Sequence, residues 1–134
     1  MSCIFCDIIA GRVPSNKIYE DEDVFAMLDI DQGAWGHTLF IPKRHYENSF
    51  DIPEDVLAKV MAAAKRVACR WRESGLADGV NILHASGAEA EQSVFHFHMH
   101  LLPRRRGDGL RVFPSPEPCE RDAREICARL AVSG

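Results

Sequence analysis

The chain has 134 residues, of which 46% are hydrophobic and 27% charged, and its formal net charge is −4. This length suits one domain, the composition is that of a globular protein, and the negative charge gives no electrostatic reason to expect nucleic-acid binding. No apolar run approaches the ~20 residues that a membrane-spanning helix needs. The N-terminus lacks the basic and apolar regions of a secretory signal, and five cysteines, an odd number, argue against a disulfide framework. We therefore expect a cytoplasmic protein that binds neither nucleic acid nor membranes.

The predicted elements begin with short segments. A short helix over residues 4–10 ends at Gly11, and two strands follow it, joined by an acidic turn at residues 21–23. The segment GHTLFIP predicts a third strand that ends at Pro42. A fourth strand is predicted at GVNILHA, and a fifth at VFHFHMHLL, ended by Pro103.

Two long helices complete the pattern. The first follows the third strand, with Asp51 as its N-cap, Pro53 in its first turn and Gly75 closing it. Apolar residues at helical spacing predict its buried stripe, which consists of Val56, Leu57, Val60, Met61, Ala64, Val67, Ala68 and Trp71. The second covers about residues 115–131, and its predicted inward face consists of Ala123, Ile126, Cys127, Leu130 and Ala131. Together these elements predict one antiparallel α+β domain over residues 1–134, with its core in residues 3–106.

Three of the six histidines occupy alternate positions in the segment SVFHFHMHLLPRRR. Because strand side chains alternate, His96, His98 and His100 would share one face, and the apolar residues between them would pack against a helix. In an extended strand the Cα atoms of His96 and His100 are about 13 Å apart. One zinc ion, with Zn–N bonds of ~2.0–2.1 Å, cannot easily bind all three rings. The pattern therefore predicts several roles rather than one metal cage.

Residue types alone allow several chemical roles for this histidine face. A single strand histidine is most often a structural residue, but three in register reduce the weight of that interpretation. A neutral imidazole can act as a nucleophile, as a general acid or base, or as a hydrogen-bond donor to phosphate. With the hydroxyl of Ser93 and the amide of Gln92 nearby, the face suits phosphate chemistry.

The segment QSVFHFHMHLLPR resembles the signature of the histidine triad (HIT) family, in which three histidines alternate with apolar residues. The upstream segments YEDEDVFAMLDI and GHTLFIPKRH are similar to further blocks of that family, in the same order. The resemblance covers about residues 3–106 and is closest to the nucleotide-binding, phosphoramidase-like branch. It implies a HIT-like fold with a five-stranded antiparallel sheet and two main helices. It also implies a homodimer in which two such sheets form one continuous ten-stranded sheet.

The resemblance implies a role for individual residues. His98 matches the nucleophile that attacks the α-phosphorus of a nucleotide and forms a nucleotidyl-histidine intermediate, which water then hydrolyses. His100 matches a contact to the phosphate or the leaving group, and His37 matches a further active-site histidine. The residues that match the nucleotide site are Asp29 and Ile30 at the ribose and base, Phe5, Ile8 and Met27 as walls of the base pocket, and Gln92 and Ser93 at the phosphate. The three wall residues suit a plain hydrophobic core equally well.

The loop HASGAEAEQ departs from the family pattern at two positions. Ala85 stands where family members often carry Asn, and Glu91 stands where they often carry Gly. The loss of an amide and the gain of a carboxylate near an anionic substrate predict weaker binding or a changed leaving-group preference. His84 could compensate for the lost amide, but we expect its side chain to face solvent.

Cys3 and Cys6 form a C-x-x-C motif, which indicates a zinc half-site, a redox pair or a chance spacing. The redox alternative normally accompanies a βαβ pattern, which this N-terminus lacks. The resemblance extends to some bacterial HIT proteins, and it implies a structural zinc ion bound by Cys3, Cys6, His45 and His96. The remaining cysteines lie on predicted helices and are expected to be packing residues: Cys69, Cys119 and Cys127.

Three functions stay open after the sequence analysis. The first is a hydrolase or transferase that acts on the α-phosphate of nucleotides, as a purine nucleoside phosphoramidase or, by the same mechanism, a dinucleoside polyphosphate hydrolase. The second is a nucleotide-binding sensor with negligible turnover, and the third is a His-x-His metalloenzyme. The first leads because it explains the histidines and both upstream segments together. The sequence specifies neither the base nor the leaving group.

Overall fold

The computed structural model describes residues 2–115 and 122–134. The strands are β1 (Lys17–Glu20), β2 (Val24–Leu28), β3 (Thr38–Pro42), β4 (Gly79–Leu83) and β5 (Met99–Arg104). The helices are α1 (Ile4–Ile9), α2 (Glu54–Glu73) and α3 (Ala123–Leu130), with one 3₁₀ turn at Ala88–Ala90. The strands form one antiparallel sheet in the order β1-β2-β3-β5-β4. This confirms the predicted α+β class. Within the described residues, no helix has the length and apolarity needed to cross a membrane.

One face of the sheet packs against α2. Buried side chains of the strands meet a stripe on the helix, and this cluster includes Val24, Ala26, Phe40, Met99 and Leu101 on the sheet side and Val60, Ala63, Ala64 and Val67 on the helix side. Met61 was wrongly predicted to lie on the stripe and is 46% exposed. The buried face of the helix is instead centred on Ala63 and Ala64, which turns Met61 towards solvent.

The N-terminus of α2 differs from the prediction. The helix begins at Glu54 with Pro53 as its N-cap, and no side chain caps it. The carboxylate of Asp51, predicted as the cap, accepts hydrogen bonds from the N–H groups of Asn48 (2.9 Å) and Glu47 (3.0 Å) instead. These bonds lower the pKa of Asp51 and close the loop before the helix.

The opposite face of the sheet is covered by α1. Phe5 packs against a second buried cluster, which contains Phe25, Met27, Leu39 and Ile41. The helix begins after Cys3, whose thiol accepts the N–H of Cys6 at 3.5 Å. Gly11 follows the helix with φ +78°, a left-handed conformation that suits glycine, as predicted for the end of this helix. The sheet therefore lies between two helices, and the N-terminal cysteines are held at its α1 face.

The fifth strand starts and ends later than predicted. It begins at Met99, continues through Pro103 and ends at Arg104, because beyond Leu101 it pairs only with β4 and a proline is tolerated there. The residues before it are not in the ladder, since the N–H of Phe97 donates to the carbonyl of Tyr46 at 2.6 Å. Of the three alternating histidines, only His100 lies on the strand.

The C-terminal helix is shorter and more exposed than predicted. Residues 116–121, which include Cys119, lie outside the described residues, and α3 begins at Ala123 with Asp122 as its N-cap. Its predicted inward face is exposed, and Leu130 is 74% exposed. Cys127 and Cys69 are exposed as well, so their prediction as packing residues was wrong. The apolar clusters on the two faces of the sheet are already covered by α1 and α2.

Candidate active site and metal centre

The three histidines of the signature have different surroundings. His96 is fully buried, His98 is 5% exposed, and His100 is half-buried on β5. The alternation predicts that the three histidines form a straight row on one strand face. They do not, because the chain before β5 leaves the sheet. His96 contacts the N-terminal cysteines and His100 contacts His37. His96 and His100 therefore belong to two separate groups of side chains.

Four side chains converge at the N-terminus of α1. The ligand atoms of Cys3, Cys6, His45 and His96 all lie within 4.8 Å of one another. The Nδ1 atoms of His45 and His96 are 3.1 Å apart, and each lies 3.5 Å from a cysteine Sγ atom. Tetrahedral zinc, with bonds of ~2.3 Å to sulfur and ~2.0–2.1 Å to nitrogen, separates its ligand atoms by ~3.3–3.8 Å. The two sulfur and two nitrogen donors can therefore hold zinc.

The orientation of His96 suits this metal centre. Its Nε2 atom lies 2.9 Å from the carbonyl oxygen of Pro42, the last residue of β3, and donates a hydrogen bond to it. Nδ1 of the neutral ring is then unprotonated and faces the thiols, which is the tautomer that a metal ligand requires. Burial lowers the pKa of His96 to about 4, so the ring is neutral near pH 7.

His98 has the opposite tautomer. Its Nδ1 atom donates a hydrogen bond to the carbonyl oxygen of His96 at 2.8 Å, which leaves a lone pair on Nε2. Burial lowers the pKa of His98 and keeps the ring neutral. The ring of Phe5 meets both histidines edge-on, with centroids 5.8 Å from His96 and 5.3 Å from His98. His98 therefore presents an unprotonated nitrogen in a fixed orientation.

A second group of polar side chains lies beside His98. Nε2 of His37 is 2.8 Å from Nδ1 of His100, and Nδ1 of His37 is 3.7 Å from the carboxylate of Asp29. These three residues are close enough to be considered as metal ligands. However, His37 directs its two nitrogens at different neighbours, and 2.8 Å is a hydrogen-bond distance. We interpret the group as a row in which His37 and His100 share a hydrogen bond and the carboxylate of Asp29 lies within ion-pair distance of His37. Burial, with His98 and His37 nearby, lowers the pKa of His100 to about 4.

The loop between β2 and β3 positions Asp29 and His37. The N–H of Asp29 donates to the carbonyl of His37 at 2.9 Å, and the amide of Gln32 donates to the carbonyls of both residues, at 2.7 and 3.0 Å. Gly36 has φ +78°, and a Cβ atom there would lie 2.7 Å from Pro103. Neither Gln32 nor Gly36 was predicted as a site residue, although the polar and glycine-rich segment DQGAWG is typical of such a loop.

The residues predicted at the ribose and base lie in different environments. The side chain of Asp29 is 21% exposed, beside His37, whereas Ile30 is fully exposed. Phe5 and Met27 are buried in the cluster under α1, and Ile8 is half-buried at its edge. Phe5 contacts the rings of both His96 and His98.

Gln92 and Ser93 have different surroundings although they are adjacent. The carbonyl of the Gln92 side chain accepts hydrogen bonds from the N–H of Gly87 (2.7 Å) and the amide of Asn48 (3.2 Å). Its NH₂ group donates to the backbone carbonyls of Glu47 and Val94, at 2.7 and 3.1 Å. Gln92 is thus buried and holds the loop in place. Ser93 is exposed, and its hydroxyl bonds to no other described residue.

The loop before Gln92 contains two unexpected features. Glu91, at a position where the family pattern has Gly, has φ +68° and is the single non-glycine with positive φ among the described residues. The side chain of His84 was predicted to face solvent, and this prediction is wrong. His84 is half-buried, stacks on Phe97 at 4.3 Å between ring centroids, and places Nδ1 2.9 Å from the carbonyl oxygen of His98.

Comparisons with known proteins agree with this geometry. A sequence model of the HIT domain matches residues 10–107. Protein hit of Bacillus subtilis is 42% identical, over 98% of this chain and 97% of its own length. A Zn-bound histidine triad family protein from Mycobacterium smegmatis is 45% identical with a TM-score of 0.79, over 97% of this chain and 90% of that one. A histidine triad nucleotide-binding protein from Candida albicans is 33% identical with a TM-score of 0.78, over 96% and 92%. The sequence, the fold and the arrangement of the histidines therefore establish that this chain belongs to the histidine triad (HIT) family.

Proposed function

We propose that the protein binds purine nucleotides and hydrolyses purine nucleoside phosphoramidates through a covalent intermediate on His98. The observation that carries this proposal is the hydrogen bond from Nδ1 of His98 to the carbonyl of His96. It fixes an unprotonated Nε2 in a buried site, where a neutral imidazole is a competent nucleophile near pH 7. The Candida albicans relative is described as nucleotide-binding, which supports the choice of substrate class.

The reaction has two displacement steps. In the first, Nε2 of His98 forms a bond to the α-phosphorus while the bond from phosphorus to the leaving nitrogen breaks, and the leaving amine takes up a proton. In the second, water attacks the same phosphorus and gives up a proton as the bond to Nε2 breaks. The products are an amine, a nucleoside monophosphate and neutral His98. Splitting the displacement lets a positioned imidazole replace a weakly nucleophilic water in the first step.

The row of Asp29, His37 and His100 is suited to the proton transfers. The carboxylate of Asp29 favours a proton on Nδ1 of His37, so that Nε2 of His37 accepts a hydrogen bond from Nδ1 of His100. His100 then presents a lone pair on its own Nε2, which can take a proton from the attacking water. The negative charge of a bound phosphate favours an added proton on the same row, which can pass to the leaving amine.

The nucleotide would lie along the α1 side of these histidines. Asp29 offers a carboxylate to the ribose hydroxyls, with Ile30 beside it, and Ser93 offers a hydroxyl to the phosphate. Phe5, Ile8 and Met27 would form the apolar wall near the base. Gln92 would act indirectly, by holding in place the loop of residues 84–92, which precedes the three histidines.

A zinc ion at Cys3, Cys6, His45 and His96 would have a structural role, because four protein ligands complete a tetrahedral site and leave no open position for substrate. The two cysteines would fix α1 against the segment that contains His96, His98 and His100. Since Phe5 lies on that helix and contacts His98, the metal centre would support the nucleophile indirectly.

A homodimer is also part of the proposal. β4 is at the edge of the sheet, and Ile82 on it is 36% exposed. An unpaired edge strand can pair with a second copy, which would extend the sheet to ten strands. Pairing would protect this edge from other association.

We place the protein in the cytoplasm, in agreement with the free thiols of its described cysteines.

The hydrolysis of dinucleoside polyphosphates is a second candidate within the same mechanism. The exposed carboxylate of Glu91, on the loop that leads to the triad, favours the phosphoramidate. A polyphosphate leaving group carries several negative charges that this carboxylate would repel, whereas an amine carries none.

Release of AMP from adenosine 5′-phosphoramidate tests the proposal. The wild type is expected to release AMP, whereas His98→Asn should bind AMP without turnover. Diadenosine polyphosphate, assayed in parallel, should be the slower substrate. If both proteins bind AMP and neither forms product, the hydrolase proposal fails and the protein is a nucleotide-binding sensor.

A further inference from the structure

His84 connects three parts of the chain around the triad. It follows β4, whose last residue, Leu83, pairs with His100. Its ring stacks on Phe97 with centroids 4.3 Å apart and an interplanar angle of 25°. Its Nδ1 atom lies 2.9 Å from the carbonyl oxygen of His98. This side chain therefore touches the main chain of the proposed nucleophile from the side of β4.

The other nitrogen of His84 is also engaged. Nε2 lies 2.5 Å from Oγ of Ser86. Oγ of Ser86 in turn contacts the hydroxyl of Ser49 and accepts the N–H of Ser49 at 3.0 Å. Ser49 belongs to the segment between β3 and α2, so the chain of bonds connects that segment with the main chain of His98.

The direction of each bond in this chain follows from the donors available. A carbonyl oxygen only accepts, so Nδ1 of His84 must carry the proton that faces His98. In the neutral ring Nε2 is then an acceptor, and the hydroxyl of Ser86 must donate to it. With its single hydrogen used, Ser86 accepts both the N–H and the hydroxyl of Ser49. With a neutral His84 ring, one arrangement therefore satisfies every group, and it fixes the tautomer of His84.

We propose that His84 is a positioning residue for the nucleophile, which it holds through the hydrogen bond from Nδ1 to the carbonyl of His98. This inference rests on the proposed function. The side chain of His98 is anchored on the carbonyl of His96, and its main chain is anchored by His84. Both bonds are needed because nucleophilic attack is sensitive to shifts of about 1 Å in the position of the reacting atom. Ser86 and Ser49 act by holding the tautomer that donates to His98.

Two variants of His84 separate the hydrogen bond from the packing. His84→Phe keeps the stacking on Phe97 and removes the donor, and we expect kcat to fall about tenfold while KM and the Kd for AMP stay within about twofold. His84→Asn places an amide N–H near the position of Nδ1, and it should restore most of kcat. If His84→Phe has the kcat of the wild type, or if both variants lose kcat equally, the positioning role is wrong.

A readout that does not depend on turnover completes the test. The ¹⁵N shifts of the histidine rings in the zinc-loaded wild type should show the Nδ1–H tautomer for both His84 and His98. In His84→Phe the signals of His98 should shift, and in His84→Asn they should return towards the wild type. An Nε2–H tautomer for His84, or His98 signals unchanged in His84→Phe, overturns the inference. If the wild type releases no AMP, the proposed function fails, and these spectra still decide whether His84 positions His98.

Discussion

His96 and His98 are two positions apart and have the same side chain, yet their rings carry the proton on opposite nitrogens. His96 donates from Nε2 to the carbonyl of Pro42 and turns Nδ1 towards two thiols, whereas His98 donates from Nδ1 to the carbonyl of His96 and keeps Nε2 free. Both rings are buried, and burial lowers the pKa of both. The difference between the candidate metal ligand and the proposed nucleophile therefore comes from which backbone carbonyl each ring can reach.

This contrast divides the site into a metal end, at His96, and a proposed catalytic end, at His98. At the metal end the four donors can hold one another in place through zinc, and the expected consequence of damage is a loss of stability. At the proposed catalytic end His37 and His100 share a hydrogen bond and Asp29 lies 3.7 Å from His37, and damage should change turnover. If the two ends are distinct, substitutions should separate stability from activity.

Removal of a cysteine from the metal end should have the largest effect on stability. Cys6→Ser should lower Tm by about 10 °C and reduce zinc content, because the loss of a structural metal ligand releases α1 from the triad segment. Differential scanning calorimetry and metal analysis would measure both. Cys69→Ser is the matched control, since Cys69 is exposed and away from the site. Equal Tm values for the two variants would contradict a structural metal centre.

At the catalytic end, Asp29→Asn should lower kcat for phosphoramidate hydrolysis by about tenfold or more with little change in Tm. The amide removes the negative charge that favours a proton on Nδ1 of His37. The loss of such a supporting contact typically lowers activity by about 10- to 100-fold. Steady-state kinetics and thermal unfolding of the same preparations would check this. Asp31→Asn, a neighbouring exposed position, should retain activity. If Asp31→Asn loses as much kcat as Asp29→Asn, the charge on Asp29 has no special role.

The acid stability of the protein should report on His100. In the folded state its pKa is about 4, against 6.5 for a histidine in water, so the unfolded chain takes up a proton first as the pH falls. The free energy of unfolding should therefore decrease between pH 6.5 and pH 4, by at most about 1.4 kcal/mol per pH unit from this residue. Urea titrations across this range would measure the slope, and His100→Asn should make it shallower. An unchanged slope in His100→Asn would show that His100 is not a buried neutral histidine.

The smallest expected effect concerns the loop before the triad. Glu91 has φ +68°, where a glycine is less strained, and Glu91→Gly should stabilise the protein by about 0.5–1 kcal/mol. Glu89→Gly, two residues earlier in the 3₁₀ turn, should not stabilise it. Urea unfolding of both variants would decide this, with zinc content unchanged in each. A Glu91→Gly variant that is less stable than the wild type would show that the Glu91 side chain makes a contact worth more than the strain.

The local pattern of the sequence predicted the elements that depend on neighbouring residues. The strands β1 to β4, the end of α1 at Gly11 and the buried stripe of α2 follow from alternation, helical spacing and a left-handed glycine. The residues that meet at the metal centre were found through the family resemblance, because Cys3 and His96 are far apart in the chain. No local pattern predicts their proximity.

The predictions that failed depended on contacts between distant segments. Strict alternation predicted a strand through His96 and His98, but the N–H of Phe97 bonds to Tyr46 instead of a neighbouring strand. Asp51 has the residue type of an N-cap, yet two N–H groups of the preceding loop bind its carboxylate. His84 has no signal in its own segment, because its partners come from the triad and from Ser86.

Rapid quenching during turnover would detect the proposed covalent intermediate on His98. The zinc-loaded protein would be mixed with adenosine 5′-phosphoramidate, quenched within one turnover and digested for mass spectrometry. We expect an adenylyl group on the peptide that contains residues 93–104, assigned to His98 by fragmentation and absent in His98→Asn. Release of AMP without an adduct, or an adduct on His96 or His100, would contradict this expectation.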